Sequence, residues 1–260
     1  MIKIALRFIC YKLFAPHRKG FGVHSPFVFN LVCNVLNGRD DAELKEISVW
    51  RKKLSKDTSI ITTADAGAGS KTHKTKGRSV GQIVRKSSIR HKYGRVIYKL
   101  VNEFKPSTII ELGTGIGIST AYLAKTSGQS HVITIEADAE KLTFAGRSLE
   151  QIGVDNVLFR NGSFNELLPE ILKEEKQAFM VFVDGDHSYR KTIDYFEEIK
   201  KHINEESFIV FDDIRWSEDM EKAWGEIRRD PAVSISIDLF FMGMVFFRGG
   251  VPKQDFVINF

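Results

Sequence analysis

From about residue 93 onward the chain alternates short apolar runs with amphipathic stretches, and this limits its fold more than any other feature. Apolar runs fall at 108–112, 132–136, 157–160, 179–184 and 208–212. Helical spacing fills the gaps. In 138–152, Leu142, Ala145, Leu149 and Ile152 share a face, and in 188–203, Ile193, Phe196, Ile199 and Ile203 do the same. Short strands that are apolar throughout and separated by helices imply a parallel sheet covered on both sides. The last two runs, 233–239 and 244–247, have only a turn near Gly243 between them and must pair antiparallel. The expectation is an α/β fold, a doubly wound, seven-stranded, mostly parallel sheet over 93–260, preceded by an extension over 1–92.

The extension reads as mostly helical. Ser25 and Pro26 make a helix start, serine as cap and proline at the first helical position, and Gly38 stops that helix. Residues 41–55 predict another helix and 58–63 a short strand. At the N-terminus, Ile2, Leu6, Ile9 and Leu13 recur at helical spacing, which predicts a helix docked by that face on the protein or a partner. A membrane-surface helix is the alternative. Lys3, Arg7 and Lys12 interrupt the segment too often for a signal-peptide core. No stretch approaches the roughly 20 apolar residues of a membrane span. The two cysteines, Cys10 and Cys33, cannot build a disulfide framework, so the reading is cytoplasmic.

Net charge is +5 and uneven. No acid occurs before Asp40, and none between Asp65 and Glu103. Lys71, Lys74, Lys76, Arg78, Arg85, Lys86, Arg90, Lys92, Arg95 and Lys99 all lie in that second gap. The basic segment 71–99 suits either a solvated face or an anionic partner such as nucleic acid. Residues 71–77 read as a mobile loop. The glycine cluster Asp65-Ala-Gly-Ala-Gly-Ser70 follows a strand, but no apolar helix follows it directly, and it reads as a structural turn or substrate-side loop.

The segment richest in chemistry is Thr108-Ile-Ile-Glu-Leu-Gly-Thr-Gly-Ile-Gly-Ile-Ser-Thr120. Gly113, Gly115 and Gly117 let the backbone turn sharply between strand and helix and let a ligand approach it. Ile118 breaks the dinucleotide fingerprint, and Glu111 is a poor neighbour for a diphosphate but a good one for an ammonium group. The segment resembles the glycine motif of class I S-adenosylmethionine-dependent methyltransferases, whose cofactor has an amino-acid end and no phosphate. On that resemblance Glu111, Gly113, Thr114, Gly115, Gly117 and Ser119 bind the cofactor, as does Asp184 at the end of a later strand. Glu136, at the end of the next strand, would accept the two ribose hydroxyls, a role acids also fill in NAD enzymes. Gly162 and Ser163 lie where the family contacts adenine.

Two further motifs end the fourth and fifth strands, Phe182-Val-Asp-Gly-Asp-His-Ser-Tyr189 and Ile209-Val-Phe-Asp-Asp-Ile-Arg-Trp216. Strand ends form the ligand-binding rim of open α/β sheets. Asp184, Asp212 and Asp213 could hold one hard cation, magnesium or manganese, through oxygen, while Asp186 and Asp213 could instead cap helices. These motifs resemble the small bacterial O-methyltransferases of the catechol and caffeoyl-CoA type. There two aspartates and an asparagine hold a divalent metal, and a lysine is the base. Here Asp213 stands for the asparagine and His187 for the lysine. The resemblance implies methyl transfer to a small-molecule hydroxyl, with His187 and Asp184 as catalytic residues. It covers about 95–248. An RNA-modifying methyltransferase and a non-catalytic scaffold of the same fold are the alternatives, and the phenylalanines near both ends would suit a homodimer.

Overall fold

The computed structural model describes residues 2–63, 76–126, 130–175 and 179–260. In chain order its first elements are α1 (Ile2–Phe14), β1 (His17–Arg18), α2 (Pro26–Asn30, continued by a π-helix over Leu31–Leu36), α3 (Ala42–Leu54), β2 (Ile60–Thr63), β3 (Lys76–Ser79), α4 (Val80–Lys86) and α5 (His91–Phe104). There follow β4 (Thr108–Leu112), α6 (Ile118–Ala124), β5 (His131–Glu136), α7 (Ala139–Glu150), β6 (Val157–Asn161), α8 (Phe164–Glu174) and β7 (Phe179–Val183). The chain ends with α9 (Tyr189–Lys200), β8 (Phe208–Phe211), α10 (Glu218–Ile227), β9 (Ile235–Asp238), β10 (Gly243–Phe246) and β11 (Gln254–Asn259). The α/β expectation holds, and all seven expected strands are present as β4 to β10. The short edge strand β1 and the terminal strand β11 are additions.

Two compact units divide the chain. In the unit Asp40–Gln177, β4, β5 and β6 pair in parallel in that order. Strand β4 is buried at all five positions, as strands covered on both faces are. Gly94 and Tyr122 pack α5 against α6, where a Cβ on Gly94 would stand 2.5 Å from the Tyr122 ring. Hairpin strands β2 and β3 run antiparallel, and Ser79 begins α4 with a full capping box to Gln82. The loop expected over 71–77 is corrected at its end, since Lys76 and Gly77 belong to β3. Lys71, Lys74, the side chain of Lys76 and the glycine cluster at 65–70 lie outside the described residues. Further along the run, Arg95 grips Asp40 at 2.6 Å and Lys99, itself buried, reaches the same carboxylate at 3.3 Å. Burial alone would raise Asp40, but these two cations hold its carboxyl below the ordinary range. The acid-free run thus takes its counter-charge from a residue more than fifty positions earlier.

The unit formed by Met1–Arg39 and Ala178–Phe260 carries strands in the order β1-β11-β9-β10-β8-β7. Strands β7 and β8 are parallel and buried throughout. Strand β10 is antiparallel to both β8 and β9, as the short turn at Gly243 requires. Ser25 caps α2, accepting from Val28 N–H, as expected.

Helix α1 forms, but it does not dock by the Ile2, Leu6, Ile9, Leu13 face. Leu6, Ile9 and Leu13 are exposed, and the helix is held by its other side. Phe8 sits against Phe240 and Phe241, with ring centroids 5.1 and 5.9 Å away. Tyr11 is buried, donates to Ile258 O and accepts from Phe260 N–H at 2.8 Å. Two aromatic rings, with a hydroxyl that closes two backbone groups at the end of the chain, fix the helix by this side.

A buried carboxylate organises the same unit. Asp238 takes a two-pronged pair from Arg215, both contacts at 2.6 Å, a bond from Trp224 Nε1 at 3.0 Å and one from Phe240 N–H at 2.8 Å. The last bond holds Phe240 at φ 74°, a conformation side chains rarely adopt. Asp238→Ala strands the guanidinium and the indole N–H together. Urea unfolding should show a loss of about 3–5 kcal/mol, the range for breaking one side of a buried pair.

Candidate active site

In the unit Asp40–Gln177, the turn after β4 is built on left-handed backbone. Gly113, Gly115 and Gly117 have φ of 109°, 54° and 85°. Gly113 N–H donates to Ile135 O at 3.0 Å, so the turn leaves β4 and catches the end of β5. A Cβ on Gly117 would come within 3.1 Å of both Ala145 and Leu149, so this glycine lets α6 approach α7. A Cβ on Gly115 would meet nothing within 4 Å. One glycine therefore serves packing, and the other leaves an open backbone that a ligand can approach.

Glu111 lies under this turn with no exposure. Its Oε2 accepts from Thr120 and Thr134 hydroxyls, both at 2.6 Å, and Thr134 also meets Thr114 at 2.6 Å. Burial raises its carboxyl, the Ser119, Thr120 and Thr134 hydroxyls oppose this, and the charge of Glu136 adds to the rise. Oε1 is buried with no hydrogen-bond partner. An unpartnered oxygen on a desolvated carboxylate favours a cation or a further donor nearby.

Glu136 ends β5, half exposed. Its Oε2 accepts from Gly115 N–H at 2.9 Å and its Oε1 from Asp138 N–H at 3.0 Å. Both oxygens thus fix the loop, and each keeps a second lone pair for a hydroxyl. Gly162 N–H donates to Glu136 O at 3.2 Å, and Asn161 Nδ2 reaches the same carbonyl at 2.9 Å. Asn161 was not among the expected residues. Its place at the end of β6, beside an acid-ended β5, is the signal that could have found it. Ser163 stands at the start of α8 without a side-chain cap bond.

The second group lies in the other unit, in the loop after β7. Asp186 and His187 both take positive φ, 60° and 36°. His187 N–H closes a tight turn on Gly185 O at 2.7 Å, and Tyr195 donates to the Asp186 carboxylate. His187 Nε2 stands 3.6 Å from Asp184 Oδ1. Burial pushes the imidazole below its ordinary value, against the pull of the Asp213 and Asp186 charges. His187 is therefore neutral at pH 7 and able to accept a proton.

Of the expected metal triad, Asp184 follows β7, and Asp212 and Asp213 follow β8. Among the described residues no group of three or more His, Cys, Asp or Glu side chains is placed to hold a metal ion. Asp212 is buried and its N–H still donates to Val183 O at 3.0 Å, continuing the strand ladder. Asp213 has turned to φ 51° and its carbonyl accepts from Trp216 N–H at 2.8 Å.

Residues 110–214 match the family described as a methyltransferase domain. Over 156 residues it is 28% identical to an uncharacterised protein of Acanthamoeba polyphaga mimivirus, an overlap covering 54% of this chain and 68% of that one. Solved structures share the fold. The O-methyltransferase from Bacillus cereus in complex with S-adenosylhomocysteine has a TM-score of 0.53 at 22% identity, covering 80% of this chain and 92% of its own. The O-methyltransferase TomG from Streptomyces achromogenes, solved with S-adenosylmethionine, has 0.56 at 17% identity, covering 85% and 95%.

The two glycines of the methyltransferase domain separate experimentally. Gly117→Ala adds a crowded Cβ to a left-handed backbone and should lower stability by about 1–3 kcal/mol. Gly115→Ala meets only the backbone cost of about 1–2 kcal/mol. Denaturant titration of the two variants checks the order.

Proposed function

We propose that the chain is an S-adenosylmethionine-dependent methyltransferase acting on a hydroxyl of a small molecule. The observation that carries this is Glu111, whose buried Oε1 lacks a partner beneath an open glycine turn, a donor set suited to an ammonium group and not to a phosphate. The residues present fit this cofactor. Glu111, Gly113, Thr114, Gly115, Gly117 and Ser119 would hold its amino-acid end, Glu136 its ribose, and Gly162 and Ser163 its adenine. When bound, it supplies an electrophilic methyl group for direct displacement. The remaining work falls to this chain: hold the acceptor in line, which lowers the barrier through orientation, and take its proton. His187 is the base in this reading. Asp184, at 3.6 Å, steadies the imidazolium that forms.

The division into an extension, 1–92, and a cofactor-binding domain, 93–260, belongs to the proposal, as does a cytoplasmic location, which the free thiols Cys10 and Cys33 support. No helix among the described residues is long and apolar enough to cross a membrane. Exposed Leu13, Phe14 and Phe21 support a homodimer. An RNA acceptor is less favoured, because Arg95 and Lys99 are committed to Asp40.

Titration calorimetry should show binding of S-adenosylhomocysteine and no comparable binding of NAD. Glu136→Ala should weaken it by about 1.5–3 kcal/mol, the range for hydrogen bonds to a charged group. NAD binding alone would overturn the reading.

His187→Ala should lower turnover on the order of 10²–10⁴-fold with cofactor affinity intact. A base works only when unprotonated, so activity falls as pH drops through the His187 pKa. Because burial lowers that pKa, the acid limb should lie below about pH 6.5. The variant should lose the limb. Chelator treatment tests the metal call separately: loss of turnover would assign Asp184, Asp212 and Asp213 to a divalent cation, and full turnover in chelator would leave His187 to act alone.

A further inference from the structure

The geometry points to a second binding site, for a small organic phosphate with an apolar body, between the C-terminal ends of α3 and α7. The cavity there has a volume of about 840 Å³ and opens to solvent. Lys52, Lys53 and Lys56 line it from the end of α3 and beyond, and Arg147 from α7. All four are exposed, and none has an ion-pair partner among the described residues. Phe144, half-buried, supplies an aromatic wall. No residue of the glycine turn lines the cavity.

Basic residues in a last helical turn can simply answer the helix dipole. That accounts for about half a charge at each helix end. Here four cations face one carboxylate, Asp57, which is turned away. Its Oδ1 accepts from Ser59 N–H at 2.8 Å and from the Ser59 hydroxyl. A clear positive excess remains after both dipoles are answered.

Ser148 is the independent observation. It lines the same cavity, is 3% exposed, and its hydroxyl has no hydrogen-bond partner. An unmade bond on a buried hydroxyl is costly, and an anionic oxygen would accept it. A hydroxyl donor, a cationic rim and an aromatic wall together select a phosphate carried on an apolar group. Inorganic phosphate would leave the wall unused, and a neutral aromatic would leave the rim unused. The volume lies in the range of small-molecule sites. Nothing in this site depends on the methyl-transfer reading.

The test is calorimetry on the full chain with 1-naphthyl phosphate, with 1-naphthol and inorganic phosphate as controls. The naphthyl phosphate should bind at least about tenfold tighter than either control, and its affinity should fall with added salt. Lys53→Gln combined with Arg147→Gln should weaken it about tenfold or more, and Ser148→Ala several-fold, with melting followed by circular dichroism to show the fold intact. Equal binding of all three probes, or variants that melt normally and bind as the parent does, would overturn the site. So would affinity that ignores salt.

Discussion

The Glu111 carboxylate is the interaction on which the methyltransferase turn depends. It sits at the end of β4 with no exposure and is bonded to Thr120 on α6 and Thr134 on β5. Three successive elements are thereby tied to one oxygen. A carboxylate in such a place is destabilising on its own, because burial penalises its charge. The hydroxyls offset part of that cost at Oε2, and Oε1 is left without a donor. The turn above repeats the pattern with Glu136, whose two oxygens collect Gly115 and Asp138 N–H groups. Left-handed glycines alone would be a loose hinge. Glu136 holds the turn through Gly115 N–H, and Glu111 ties β4 to α6 and β5 beneath it.

How much of this was legible follows from the range of each interaction. The strands β4 to β10 show in the sequence because burial on both faces writes a continuous apolar run. The glycine turn shows because φ near 54° to 109° at three close positions excludes other residues at low cost. Both are local rules. The face by which α1 docks on this chain was not legible, because periodicity marks Leu6, Ile9 and Leu13 as a stripe, whereas the surface it meets, Phe240, Phe241 and the carbonyl of Ile258, comes from more than two hundred positions away. Strands β1 and β11 were missed for the same reason, since β1 is two residues long and pairs only with β11. The basic run seemed to await an anion because the Asp40 that answers Arg95 and Lys99 precedes them by more than fifty residues.

The candidate base was legible as a residue type and a position, but its state was not. A histidine three residues after a strand-end aspartate reads equally as a helix-start residue. Its surroundings decide the matter. Burial lowers the imidazole, while Asp213 and Asp186 pull it up. The proposed metal triad was legible in the same way. Asp184, Asp212 and Asp213 are right for oxygen ligation in type and spacing, and Asp213 takes left-handed backbone immediately after Asp212. Sequence gives donors in order along a strand and says little about whether the chain bends between them.

That bend is part of a wider pattern in the loops of this unit. Asp186, His187 and Asp213 all hold positive φ without being glycine, at a cost of about 1–3 kcal/mol each. Such strain persists only where neighbours over-determine it, and neighbours do so here. Tyr195 grips the Asp186 carboxylate, His187 N–H closes on Gly185 O, and Asp213 O accepts from Trp216 N–H. A relaxed loop would let the imidazole rotate into solvent, where its proton affinity would return toward the ordinary value. The strained loop instead keeps the ring partly buried and close to Asp184, as the proposed base role requires: neutral before it takes a proton and countered by a carboxylate afterwards. Backbone conformation and side-chain chemistry are one arrangement in that proposal, and a substitution that relaxed the loop would then disturb proton transfer without touching the imidazole itself.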